Sequence, residues 1–167
     1  MITYEIRSAR SKDISQIGAV GLASWKRGIG PHVPSVAHDT MSEASYTDFA
    51  SESLDQIIVA VEGDHLLGFA ATEHADNFIT DLWIDPTSES KGLGSALCGE
   101  AERRIAARGY NTAEISVLIQ NERAAGLYQH MGYEELRRET KFDEDLQCEI
   151  SYIRLRKHLP FHVEEIA

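Results

Sequence analysis

The run Leu82 to Leu97, LWIDPTSESKGLGSAL, constrains this chain more than any other. It reads as the end of a strand, a polar loop carrying Pro86, Gly92 and Gly94, and the start of a helix. A loop that opens straight into a helix leaves backbone N–H groups without intrahelical partners, and the positive end of the helix dipole adds to them. Such a place attracts phosphate. Glycine at 92 and 94 removes Cβ atoms where the backbone must approach a ligand. Lys91 brings a positive charge and Ser95 a hydroxyl in the first helical turn. A plain strand-to-helix turn, with glycines chosen for geometry, is the competing account of the same residues. Other phosphate motifs fail on spacing. A dinucleotide fingerprint needs Gly or Ala three residues after Gly94, where Leu97 stands. A P-loop needs Gly-Lys followed by Ser or Thr, and the order here is Lys91-Gly92-Leu93.

The flanking patterns supply an architecture. Ile2 to Arg7 alternates as a strand does, and Ser11 is placed to cap a helix through Ile14, Ile17, Val20 and Trp25. Gly28 to Pro34 breaks that helix, and a weaker helical segment runs from Thr40 to Ser51. Gln56–Glu62 and His65–Glu73 flank Gly63-Asp64, a hairpin signal. Phe78–Ile84 is a third strand, followed by a helix ending before Gly109. Ala113–Ile119, Asn121–Met131, Tyr133–Phe142 and Cys148–Leu159 read as strand, helix, strand and strand. The order β-α-α-β-β-β-α-β-α-β-β predicts an α/β protein with a mixed sheet and helices on its faces. With 167 residues and no linker or repeat, a single domain over 1–167 is expected.

A second segment, NERAAGLYQHMGY from Asn121 to Tyr133, places a capping Asn and Tyr128 about two helical turns apart, on one side of a helix. An amphipathic helix with a packing Tyr and a Gly132 cap would look the same. Taken together, the two segments resemble the GNAT N-acetyltransferase superfamily. Leu82 to Gly94 is similar to that family's acetyl-CoA motif, in which a strand and a Pro-containing loop precede Gln/Arg-x-x-Gly-x-Gly/Ala at a helix start. Asn121 to Tyr133 resembles its segment in which the Asn contacts coenzyme A and the Tyr sits by the sulfur. The element order matches the family fold, least clearly between Gly28 and Leu54. Glu89 departs from the pattern, standing where Gln or Arg is usual, and a carboxylate there should repel a diphosphate unless it points to solvent.

The resemblance implies acetyl-CoA as cofactor. It would be held by Leu82, Trp83 and Ile84, by Ser90, Lys91, Gly92, Leu93, Gly94 and Ser95, and by Asn121 and Tyr128. A backbone N–H of the Leu82–Ile84 strand would hold the acetyl oxygen. A phenol, with an unperturbed pKa of about 10, can donate to a departing thiolate whose pKa is about 8.5. Asp81 and Glu73, at the ends of central strands, are the candidate bases for the acceptor amine, with His74 beside them; each is also an ordinary strand-end residue. Some peptide-acetylating relatives carry Glu where this chain has Ser116. Cys98 reads as a small buried residue rather than an acetyl carrier.

The expected activity is acetyl transfer to a primary amine by direct attack in a ternary complex. The formal net charge of −11 argues against nucleic acid as a partner; an acidic surface first of all keeps a protein soluble, and it also suits cationic acceptors, so a small polar amine is the preferred acceptor. Trp25, His32 and residues 40–51 are candidate acceptor walls. Alternatives are a protein or peptide N-terminal amine as acceptor, a longer acyl chain, or a regulator that binds acyl-CoA without turnover. Two cysteines without ligand spacing, scattered histidines, no apolar signal core and no membrane-length apolar run lead to no metal, no membrane and a cytoplasmic setting. His158 and His162 are expected at the surface. The terminal strand edges, with Tyr152 and Phe161, suit a homodimer or an ordinary capped edge equally.

Overall fold

The apolar runs Ile57–Glu62 and His65–Ala71 form a hairpin, β2 and β3, whose inner residues are buried on both faces. Strand alternation sends Ile58, Ala60, Leu67 and Ala70 to one core, shared with Leu93, Leu97 and Ile105. Ile57, Val59, Val61, Phe69 and Ala71 go to the other, with Ile17, Val20 and Trp25. A strand pair covered on both sides in this way needs a near-continuous apolar sequence, which these residues supply.

The computed structural model describes residues 3–160. Its elements are β1 (Glu5–Ser8), α1 (Ile14–Gly28), α2 (Ser35–Thr40), α3 (Glu43–Glu52), β2, β3, β4 (Phe78–Ile79), β5 (Asp81–Ile84), α4 (Leu93–Ala107), β6 (Thr112–Leu118), α5 (Glu122–His130), β7 (Glu134–Asp143) and β8 (Cys148–His158). They form two four-stranded sheets, β1-β2-β3-β5 and β4-β6-β8-β7. Every pairing is antiparallel except β4 with β6. The α/β class and mixed pairing are those expected from the sequence. No helix of the described residues is long and apolar enough to cross a membrane.

Three local expectations change. Phe78–Ile84 is not one strand. Phe78 and Ile79 pair with Glu114 and Ile115, whereas Asp81 to Ile84 pair with Ala71 to Gly68, so the chain changes sheets at Thr80. Thr80 makes the crossing by donating its N–H to Ala71 O at 2.9 Å. Ser11 does not cap α1; it opens a 3-10 turn whose last residue, buried Asp13, accepts from the N–H of Arg10, the residue before the turn, at 2.7 Å. The 40–51 segment is part of two helices. Met41 is extended between them, and Ser42 caps α3 by accepting from Ser45 N at 3.3 Å. His158 is exposed at the end of β8, while Phe161 and His162 lie outside the described residues.

Candidate active site

The change of sheet at Thr80 makes the cleft. After Ile79, β5 stays with β3 and parts from β6, so one edge of β5 is unpaired. Asp85 donates to Leu67 O at 2.9 Å, and Trp83 lies opposite Phe69. Antiparallel alternation then turns the N–H groups of Leu82 and Ile84 away from β3, toward the opening. A cleft of about 690 Å³ lies there, between β5, the loop into α4, the start of α5 and the end of α1.

The loop brings donors to this cleft. Ser88 N–H bonds Asp85 O at 2.8 Å, and Ala96 N–H bonds Gly92 O at 3.1 Å. Between them, the backbone N–H groups of Ser90 and of Gly92 to Ser95 have no protein acceptor among the described residues. Ser90 (φ 63°) and Gly92 (φ 77°) are left-handed. Left-handed residues in such a run turn successive N–H groups toward one side and shape an anion site. Gly92 is therefore needed for its backbone angle. Gly94 has a different role: a Cβ there would stand 2.9 Å from Leu127 Cδ2, the end of a side chain that also lines the cleft, so its smallness leaves that side chain its place.

On the facing wall, Asn121 caps α5, its Oδ1 accepting from Ala124 N–H at 3.2 Å. Asn121 and Tyr128 both line the cleft. Tyr128 is 5% exposed, yet its hydroxyl makes no hydrogen bond with the described residues. Since no enclosed side-chain polar atom among them lacks a partner, Tyr128 Oη reaches the cleft. Burial pushes its pKa up, so the phenol stays protonated at neutral pH.

The other candidates separate. Leu82, Trp83, Ile84, Ser90, Leu93 and Ser95 line the cleft; Lys91 is exposed and does not. Asp81 and Glu73 are also outside the lining. Asp81 is half-buried behind Trp83, whose Nε1 donates to its Oδ1 at 3.0 Å. Burial raises the Asp81 carboxyl, against the lowering by the bonds from Trp83 and Thr80. Glu73 and His74 are exposed on the turn after β3. Cys98 is buried on α4 with its thiol pushed up to about 12 by burial, unsuited to nucleophilic attack. Glu114 is occupied by Arg154 (2.8 Å) and Arg156 (2.6 Å). No group of three His, Cys, Asp or Glu residues able to hold a metal occurs among the described residues.

The acceptor walls differ from expectation. His32 lines the cleft, joined by Ser24 and Gly28 of α1, but Trp25 and residues 40–51 do not. Trp25 is core, edge-on to His38 at 5.2 Å, and Tyr46 supports Trp83 from behind at 5.9 Å. Glu89 does not point freely to solvent. Its Oε2 accepts from Arg27 Nε at 2.9 Å and also from Arg123 Nη1. These two arginines of the cleft were missed in the sequence. Arg123 follows Asn121 closely enough to be noticed, but nothing local links Arg27 to a loop more than sixty residues away.

A model of the acetyltransferase (GNAT) family matches residues 22–133, well over half of the chain, and the chain belongs to that family. Members of the family use acetyl-CoA. Two solved structures share the fold. A GCN5-related N-acetyltransferase from Rhodopseudomonas palustris is 21% identical with a TM-score of 0.78, over 95% of this chain and 98% of its own. The PaiA N-acetyltransferase from Thermoplasma acidophilum, solved in complex with coenzyme A, is 18% identical with a TM-score of 0.70, over 93% and 99%. Mycothiol acetyltransferase from Beutenbergia cavernae is 40% identical over 52 residues, which is 31% of this chain and 18% of that protein. The matched part thus spans less than a fifth of that curated relative's length.

Proposed function

We propose that this chain transfers an acetyl group from acetyl-CoA to a primary amine, a small polar amine above all, by direct attack in a ternary complex. One observation carries the reading: Ser90 and Gly92 to Ser95, whose backbone N–H groups have no protein acceptor among the described residues, line the same cleft as Tyr128 with its unpartnered hydroxyl. A ligand with a phosphorylated end and a reactive end fits that pairing. Acetyl-CoA would supply the activated acetyl thioester.

The chain's own groups then have distinct tasks. The loop amides and the N-terminus of α4 hold the diphosphate. The cleft-facing N–H of Leu82 or Ile84 donates to the acetyl carbonyl oxygen, where negative charge grows. Tyr128 Oη keeps a proton that it can give to a departing sulfur. Asp81 takes the acceptor's proton through water. It is preferred over Glu73 because it adjoins the cleft residue Trp83 and its basicity is raised by burial. His32, Ser24 and Gly28 form the acceptor side. The acidic balance of the chain favours a cationic acceptor. The short match to mycothiol acetyltransferase does not carry that protein's acceptor across.

Thiol release from acetyl-CoA across a panel of polyamines, amino sugars, amino acids and peptide N-termini tests the reading. Release with small polar amines is the expected result. Tight coenzyme binding with no release for any amine would replace the enzyme reading by a binding module.

A further inference from the structure

Glu89 raises a question of charge. It is a carboxylate in a loop whose neighbours present donors for an anion, and its side chain is only 18% exposed. Two guanidinium groups meet on its Oε2: Arg27, from the last turn of α1, and Arg123, from the first turn of α5. All three residues line the cleft. The trio joins three of its walls and carries one net positive charge.

The bonding leaves the arginines free to do more. Arg27 commits Nε and Arg123 commits Nη1 to Glu89. A guanidinium has five N–H donors, so each arginine keeps four. An arginine already fixed in direction loses less conformational freedom when it binds a second anion.

We infer that Glu89 is a positioning residue: it holds Arg27 and Arg123 in the cleft wall so that their remaining N–H groups bind the phosphate groups of the coenzyme. This rests on the acetyl-CoA reading above. The loop thereby recovers, from two distant helices, the cationic or amide side chain that position 89 lacks. The role runs against simple charge counting. Removing the Glu89 carboxylate makes the cleft more positive, yet it releases both arginines from their places.

Calorimetric titration of the full chain with coenzyme A, and with pantetheine as the phosphate-free control, decides the matter without an acceptor. Arg27→Gln and Arg123→Gln are each expected to weaken coenzyme A binding by about 10-fold, the scale of one charge-assisted hydrogen bond. The slope of affinity against salt should become shallower in both. Glu89→Gln is expected to weaken coenzyme A binding by about 3- to 10-fold while leaving pantetheine unaffected. Both arginine side chains are more than half exposed, so thermal denaturation should show these variants folded. Tighter or equal coenzyme A binding by Glu89→Gln would overturn the positioning role. Unchanged affinity in both arginine variants would remove the phosphate contact. A wild-type chain that binds no coenzyme A would overturn the underlying reading as well, and is told apart by that first titration.

Discussion

Tyr128 and Tyr133 meet edge to face, ring centroids 5.8 Å apart, yet their hydroxyls are used differently. Tyr133 Oη donates to Glu102 at 2.9 Å, and Lys157 Nζ reaches the same carboxylate at 2.9 Å. Tyr128 Oη has no partner among the described residues and opens to the cleft. One ring therefore ties α4 to the chain after α5, and the other presents a phenol. Tyr128→Phe should lower turnover roughly 10²-fold with little change in coenzyme affinity or melting temperature. Tyr133→Phe should do the reverse, costing about 1–2 kcal/mol of stability and sparing turnover. Steady-state kinetics and thermal denaturation of the two variants check this. Undiminished turnover in Tyr128→Phe would take the phenol out of the chemistry.

Asp81 makes a prediction about pH. A base works only when ionised, and burial holds this carboxyl above its ordinary value of 3.8. Activity should fall as pH drops through that raised pKa. Asp81→Asn should abolish this acidic limb and lower kcat/KM by roughly 10- to 10²-fold. Glu73→Gln should leave the limb in place. A limb that survives in Asp81→Asn would assign the base elsewhere.

The two loop glycines should fail in different ways. Gly92 is left-handed, so Gly92→Ala should cost about 1–2 kcal/mol and distort the amides that face the cleft. In Gly94→Ala the new methyl meets Leu127 Cδ2. Adding Leu127→Ala should recover part of the lost coenzyme affinity in the second variant and none in the first. Titration of the single and double variants reads the difference.

Asp13 anchors the start of α1. Arg7 donates to it twice, at 2.7 and 3.0 Å, and its side chain is 4% exposed. The bonds from Arg7 hold its carboxyl below the ordinary 3.8 despite burial. The sign follows from linkage: a depressed pKa adds stability that is present above 3.8 and is lost as pH falls through the folded value. Asp13→Asn should cost about 3 kcal/mol at neutral pH, because it leaves the largely buried Arg7 unpaired. It should also flatten the acid branch of the stability curve. Urea unfolding at neutral and acidic pH measures both, and an unchanged acid branch would place the titration on other carboxylates.

The sequence by itself was enough for the α/β class, for most of the element order apart from the split of 40–51 between two helices and of 78–84 between two strands, for the glycine-bearing loop that opens α4, for the Asn121 cap and for the placing of Tyr128 on the same helix. These rest on local chemistry: apolar spacing, glycine conformation and helix capping act within a few residues and can be read along the chain. Tertiary structure alone decided the break at Thr80, because a residue changes sheets only when two partners, Ala71 and Ile115, compete for its neighbours. It likewise placed Trp25 in the core and brought Arg27, Glu89 and Arg123 onto one oxygen. Such contacts join residues far apart in the chain, and no local pattern encodes an interaction that exists only after the core has brought its elements together.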